Sequence, residues 1–507
     1  MRRLADLPFL VILMGIGALA MFPPVGLALA ERDWTTARAF FNSGLLFSVL
    51  TVLIGLSTIN RPVRNQARSH LLAMLGFYAL LPVMLAVPFS EAVRDTSFLN
   101  AYFEMISCLT TTGATLFDSP ERLTAGVHLW RALVGWLGGF FVWVTAIAIL
   151  APMNLGGFEV TAGAGSIAGR VGPERGAVHP AHDPRERLMR FAEQLAPVYV
   201  GLTACLWVLM LVAGEGPLVA ACHAMSVLST SGISPVGGVA GGQSGIAGEI
   251  MLWGFMLFAI SRQMFMFDFR PESWRRLKDD LELRMGVGIA WVVTVFLFAR
   301  HWVGAYEVAA EENGLAALGA LWGAIFTVTS YLTTTGFASV EWIDARQWSG
   351  LATPGLILVG LAVFGGGVAT TAGGVKLLRI YALYKHGIRE MEKLVHPSSV
   401  GGAGAFARRI RRQGAQIAFV FFMLFALSVA VVMVALGLLG LDFEASMVLT
   451  VAALTTTGPL AAAATDPPLS YSALGDAAKM VLASAMILGR LETLAIIALL
   501  NPEFWRK

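Results

Sequence analysis

LTTTGAT at 109–115, LSTSGIS at 228–234, LTTTGFA at 332–338 and LTTTGPL at 454–460 are four versions of one phrase. Their central glycines are Gly113, Gly232, Gly336 and Gly458, so the phrase recurs roughly every 100 to 120 residues. Each copy ends a short apolar stretch, near 98–112, 217–231, 316–335 and 442–457, and each stretch lies between two longer apolar runs. One such copy reads as a helix stop with a glycine cap. Four copies in the same context read as a repeated unit: span, short helix, polar Thr/Gly strand, span.

Composition fixes the surroundings. The chain has 507 residues, 56% hydrophobic and only 14% charged, and its mean hydropathy is +0.70. A soluble domain carries about 25% charge. These values exclude a cytosolic enzyme, a nucleic-acid-binding protein and a disordered chain. They leave an all-α polytopic membrane protein.

About 20 apolar residues cross a bilayer core. Ten runs qualify as spans: 7–30, 40–59, 71–87, 127–150, 195–212, 250–267, 287–298, 351–368, 417–439 and 477–500. The short stretches before the four motifs read as re-entrant segments. The N-terminal run lacks a small-residue cleavage site and reads as a retained first span. With ten spans both termini share one side, and that side holds 27 of the 36 Lys and Arg residues. The positive-inside rule makes it the cytoplasm.

Non-helical backbone at membrane depth survives only where it is buried or lines a watery cavity. Four such segments imply one axis. In extended Thr-Thr-Gly the carbonyls turn to one side, and glycine permits the unusual backbone this requires. Four segments then stack rings of carbonyl oxygens that replace the hydration shell of a monovalent cation. The filter expected is Thr111, Thr112 and Gly113; Thr230, Ser231 and Gly232; Thr334, Thr335 and Gly336; and Thr456, Thr457 and Gly458. Short helices ending at the motifs aim their partially negative ends at the axis. The second copy carries serines, and the fourth places Pro459 after its glycine, which removes a backbone donor.

Those four motifs, with LWRALVGWLGG at 129–139, CHAMSVLSTSGIS at 222–234, GGGVATTAGGVKLLR at 365–379 and ILGRLE at 487–492, make the chain resemble the Trk/Ktr potassium transporter family, of the TrkH type. The resemblance runs over essentially the whole chain. It implies four pseudo-symmetric M1–pore helix–M2 units around one pore, after two extra N-terminal helices. The division expected is a two-helix extension at 1–65, then pore units at 66–170, 171–280, 281–395 and 396–507. The implied function is potassium uptake across the bacterial inner membrane, with K⁺ as the permeating ion and no cofactor in the chain. The implied partners are a second copy in a homodimer, membrane lipid and a cytosolic nucleotide-binding ring protein of the RCK type (TrkA-like). The basic stretches 376–412 and 262–284 are the expected docking surface.

The stretch 365–374 interrupts the third unit's second span. Gly-rich, Thr-containing backbone makes a poor helix. A kink or tight helix packing explains it; the resemblance favours an intramembrane gate loop beneath the filter. Its residues are Gly365, Gly366, Gly367, Thr370, Thr371, Gly373 and Gly374, with Lys376 and Arg379 at its cytoplasmic return. Arg490 lies inside the last span. A central arginine costs about 2.5–3.5 kcal/mol on insertion scales, so it marks function or an ion pair. The resemblance makes it a positive charge below the filter that slows cations. Glu492, two residues away, faces elsewhere on the helix.

The remaining residues carry less. Cys108, Cys205 and Cys222 read as free buried thiols. Trp130, Trp136, Trp253, Trp274, Trp291, Trp302 and Trp348 read as interfacial anchors. His223 reads as a packing or hydrogen-bonding residue. Glu311, Glu312, Asp442 and Glu444 either concentrate cations at the outer mouth or form a solvated face. No His, Asp or Glu cluster suggests an enzyme. Two transport alternatives remain: an alternating-access cation-coupled solute transporter, which predicts two matching halves rather than four, and a non-conducting regulatory relative.

Overall fold

The computed structural model describes residues 8–58, 66–151, 157–158, 184–266, 271–308, 313–351, 354–396 and 412–491. Its α-helices, in chain order, are α1 (Phe9–Leu19), α2 (Phe22–Ala30), α3 (Trp34–Thr58), α4 (Gln66–Ala79), α5 (Leu81–Ala92), α6 (Phe98–Leu109) and α7 (Ala125–Thr145). Then come α8 (Pro184–Val212), α9 (Pro217–Ser229), α10 (Gly245–Met256), α11 (Pro271–Lys278), α12 (Leu281–Val308), α13 (Asn313–Leu332) and α14 (Val340–Ser349). The last are α15 (Gly355–Phe364), α16 (Leu377–Val395), α17 (Arg412–Leu438), α18 (Phe443–Leu454), α19 (Leu460–Ala463) and α20 (Asp476–Leu491). The described residues contain no strand.

Among the described residues eight helical segments are long and apolar enough to cross a membrane. In α3, α8, α12 and α17 no more than 28% of the apolar window is buried, against 72% in α7. A soluble monomer does not leave such large apolar faces open. The exposed leucines and valines of α3, α8, α12 and α17 therefore face lipid, while α7 belongs to the interior. The chain is a multi-pass membrane protein.

Prolines and caps set several boundaries. Pro23 and Pro24 sit in the first turn of α2, where a missing N–H costs nothing, and they split the first expected span in two. The Ser97 hydroxyl accepts the Asn100 N–H at 3.2 Å and starts α6. The Asp442 carboxylate accepts the Ala445 N–H at 3.1 Å and starts α18. Asp442 is thus a helix cap.

Three segments differ from expectation. The run at 250–267 is not one helix: α10 stops at Met256 and continues as 3₁₀ turns through Met266. The run at 351–368 is helical only over α15, because Gly365 has φ +71° and turns the chain away. Conversely, α13, expected as a re-entrant stretch, has 20 residues and is long enough to span, against 12, 13 and 12 in α6, α9 and α18. Its extra turns lie at its N-terminal end, and its C-terminal end still feeds a motif. Residues 492–507, the first seven residues, the basic run 397–411, and Glu311 and Glu312 lie outside the described residues, as does Glu492. So does any placement of the two termini.

Other readings are corrected by burial. Trp130 is no interfacial anchor. It is fully buried, stacks edge-on against Phe40 and donates to the Leu85 carbonyl oxygen at 3.3 Å. Trp136 and Trp253 donate to the hydroxyls of Thr203 (2.9 Å) and Thr329 (3.1 Å) on neighbouring helices. Trp274, Trp291 and Trp302 remain exposed. Cys108 and Cys222 are buried, but Cys205 lies on the lipid-facing side of α8 and is exposed. His223 is buried, and its Nε2 pairs with the Ser234 hydroxyl at 2.9 Å.

Candidate functional site

The four motifs share one backbone geometry. The second residue of each Thr/Ser triplet is left-handed: φ is +54° at Thr111, +52° at Thr230, +58° at Thr334 and +54° at Thr456. Two further bonds repeat. The N–H of this residue donates three residues back, to Cys108, Val227, Tyr331 and Ala453 (2.9–3.2 Å). The next N–H donates five residues back, to Ser107, Ser226, Ser330 and Ala452 (2.8–2.9 Å). That pair is a Schellman cap, the usual end of a helix whose C′ residue is left-handed. The residue there is normally glycine; a β-branched threonine is strained. Four strained threonines at equivalent positions mark a functional constraint on the backbone.

The outer two residues of each triplet explain the need for hydroxyls. Thr110 and Thr112 share a hydroxyl–hydroxyl bond of 2.8 Å. Ser229 and Ser231 repeat it at 3.0 Å, Thr333 and Thr335 at 3.0 Å, and Thr455 and Thr457 at 3.2 Å. Serine serves as well as threonine, which accounts for the second copy. Between them the middle threonine points elsewhere. The hydroxyls of Thr111 and Thr456 are buried and find no hydrogen-bond partner among the described residues. Leaving such a group unmet costs about 1–3 kcal/mol, which a coordinated cation would relieve.

The four copies close into a ring. A Cβ on Gly113 would collide with the Ser231 carbonyl oxygen, and one on Gly232 with that of Thr335. A Cβ on Gly336 would lie 3.0 Å from Pro459 Cγ, and one on Gly458 would meet Ala114 and Gly113. Each glycine therefore abuts the next copy, in the order first, second, third, fourth, first. Gly113, Gly232 and Gly336 are left-handed (φ +72°, +65° and +84°). Gly458 is not among the left-handed glycines, contrary to the expectation for it. Pro459 follows it with φ −60° and opens α19, so the fourth segment turns helical at once.

The stretch 365–374 packs directly against the helix ends that carry this ring. Gly365, Gly366, Gly367, Thr370, Thr371 and Gly373 are buried and Gly374 half-buried. The Gly373 N–H donates to the Thr334 hydroxyl at 2.7 Å, and the Thr371 hydroxyl donates to the Leu228 carbonyl oxygen at 3.0 Å. A Cβ on Gly373 would collide with the Thr455 carbonyl oxygen. The loop thus touches three of the four short-helix ends. The Arg490 guanidinium donates to the Thr371 carbonyl oxygen at 2.7 Å. Glu282 of α12, buried, accepts the Val368 N–H at 2.7 Å. The Gly367 N–H and the Thr370 hydroxyl both donate to the Ala259 carbonyl oxygen (3.0 and 3.1 Å). Lys376, left-handed at φ +82°, donates its ammonium back to the Ala372 carbonyl oxygen. Arg379 stacks 3.7 Å from the Phe421 ring centre.

Some participants were not singled out from the sequence. Glu104 on α6 and Arg131 on α7 form a buried ion pair at 2.7 Å, and Glu104 also accepts the Leu116 N–H just past the first motif at 3.1 Å. A lone Glu and a lone Arg inside apolar stretches were the signal. Glu282 left no such signal, because it stands at the edge of a charged loop. Outside the spans, the carboxylate of Glu215 accepts N–H groups of Gln243, Ser244 and Gly216 and the Ser244 hydroxyl. Burial raises its pKa, but these bonds outweigh it and hold the carboxyl below the usual glutamate range.

Among the described residues no group of three or more His, Cys, Asp or Glu could hold a metal ion. What the four motifs bring together is main-chain carbonyl and side-chain hydroxyl oxygen.

Comparison with known proteins agrees. A family model described as TrkH, cation transport protein, matches residues 274–506. The Trk system potassium uptake protein TrkH of Salmonella typhimurium is 30% identical over 495 residues, covering 96% of each chain. The Trk system potassium uptake protein TrkI of Halomonas elongata is 29% identical over 85% of this chain and 82% of its own. The crystal structure of the potassium transporter TrkH from Vibrio parahaemolyticus superposes with a TM-score of 0.82 over 100% of both chains at 24% identity, which speaks for the fold. On these grounds the chain belongs to the TrkH family of membrane cation transport proteins and is not an enzyme.

Proposed function

We propose that the chain conducts potassium ions through the ring formed by its four motifs. The observation that carries this reading is the contact cycle Gly113–Ser231, Gly232–Thr335, Gly336–Pro459 and Gly458–Ala114. It supports a common centre lined by one segment from each quarter of the chain. The carbonyls of Thr111, Thr112 and Gly113, and their equivalents, are the proposed filter. The unmet hydroxyls of Thr111 and Thr456 supply further oxygens at its inner end. The printed names of the relatives, potassium uptake proteins of a Trk system, support K⁺ as the ion. The four quarters are the proposed pore units, after a two-helix extension.

The loop 365–374 is the proposed gate. It fills the space under the filter, and Arg490, Thr334 and Glu282 hold it there. Permeation then requires those bonds to break. The proposed site is the bacterial inner membrane, with both termini in the cytoplasm, as the distribution of Lys and Arg favours. The protein works as a homodimer with an RCK-type cytosolic subunit. Helix α16 supports the latter: Tyr384, Met391, Leu394 and Val395 are exposed among Lys385, Arg389 and Lys393.

The test is growth of a potassium-uptake-deficient bacterium on low potassium. Expression of the chain restores growth under this reading. Absence of rescue by well-expressed, membrane-inserted protein supplied with its cytosolic subunit contradicts it.

A further inference from the structure

The fourth segment breaks the symmetry of the ring in a way the other three do not. The Gly458 N–H donates to the Thr112 carbonyl oxygen at 2.6 Å, which draws the first and fourth segments together. The Gly458 carbonyl oxygen accepts the Tyr471 hydroxyl at 2.9 Å, so it is committed to a side chain. The Pro459 ring then reaches two other copies. Its Cγ would lie 2.8 Å from a Cβ on Gly232 and 3.0 Å from one on Gly336. In the contact order established above, the second copy stands diagonally opposite the fourth. A ring that approaches both the diagonal and the adjacent glycine lies on the axis.

Tyr471 is held in turn. It is buried and packs 6.1 Å from the Phe103 ring of α6. The strap that carries it is pinned on both sides. Ser470 and Ser472 donate to the Asp118 carboxylate at 2.6–2.8 Å, and Arg346 pairs with Asp466 at 2.7 Å.

We propose that Pro459 is the outer constriction of the pathway and that Tyr471 is the positioning residue that holds it on the axis. Release of the Gly458 N–H from Thr112 and of the Gly458 carbonyl from Tyr471 frees both carbonyl oxygens for the ring and withdraws the proline. The pair therefore sets how large a cation passes. This proposal rests on the filter reading and adds to it a second closure, separate from the loop at 365–374.

The experiment is flux of K⁺, Rb⁺ and Cs⁺ into proteoliposomes containing the full chain, as wild type, Pro459→Ala, Tyr471→Phe and Gly336→Ser. Pro459→Ala is expected to raise K⁺ flux and the Cs⁺/K⁺ ratio. Tyr471→Phe keeps the ring and loses one neutral hydrogen bond, so the same changes follow at roughly fivefold or less. Should Pro459→Ala fail to fold, Tyr471→Phe alone decides. A Tyr471→Phe protein with the wild-type ion ratio, whether its flux is unchanged or reduced, overturns the proposal. If Gly336→Ser is dead in that same series, the filter reading stands without it. If Gly336→Ser conducts like wild type, the filter reading itself fails.

Discussion

Arg490 of the last described helix donates to the carbonyl oxygen of Thr371, 119 residues earlier in the chain, at 2.7 Å. The arginine is therefore a tie on the loop, in addition to its proposed role as a positive charge below the filter. Both roles oppose permeation in the same state. A charged hydrogen bond contributes about 1.5–3 kcal/mol, so Arg490→Ala should raise potassium flux on the order of tenfold. Flux at or below wild type in a well-expressed variant would show that Arg490 does not restrain the loop.

Glu104 and Arg131 should act as one unit. Removing one member of a buried ion pair strands the other, at about 3–5 kcal/mol. Arg131→Met is expected to lower the melting temperature and the yield of detergent-extracted protein sharply. Glu104→Gln combined with Arg131→Met should be milder than Arg131→Met alone. Additive losses in thermal unfolding would show that the two side chains are independent.

The carboxyl of Glu215 titrates below its ordinary range because bonded N–H groups favour its charged form. Its folded pKa is depressed, so its contribution is complete above the unfolded glutamate value of about 4.3. That contribution fades as pH falls from there through the lowered value. Glu215→Gln should therefore destabilise the protein at neutral pH and flatten the acid limb of its stability curve. Melting temperatures between neutral pH and about pH 3 measure this; parallel curves for the two proteins would contradict it.

Much of the architecture was legible because membrane physics limits the options. Apolar length gave most spans, and four Thr/Gly phrases gave the ring. The exceptions have local causes. Helix α10 stops short where the chain after it meets the loop at 365–374, a tertiary contact that hydropathy does not register, whereas α15 ends at left-handed Gly365, the first residue of that loop. Glycine was expected to carry the unusual backbone at every motif. The structure places a left-handed threonine before it in all four, since a Schellman cap must fall at the helix end whatever residue stands there. The sequence showed Pro459 but not its partner, because Tyr471 lies in a loop with no motif of its own. Glu282 escaped notice among the charges of 262–284 for the same reason.

Flux of K⁺ against Na⁺ into proteoliposomes, for wild type and Gly336→Ser, tests the filter most directly. Gly336 is left-handed at φ +84° and faces Pro459. A side chain there is strained and has no free space. Potassium-preferring flux in the wild type and its loss in Gly336→Ser is the expected result. Equal flux from a serine variant that is folded to the same extent would contradict a ring of main-chain oxygens at this place.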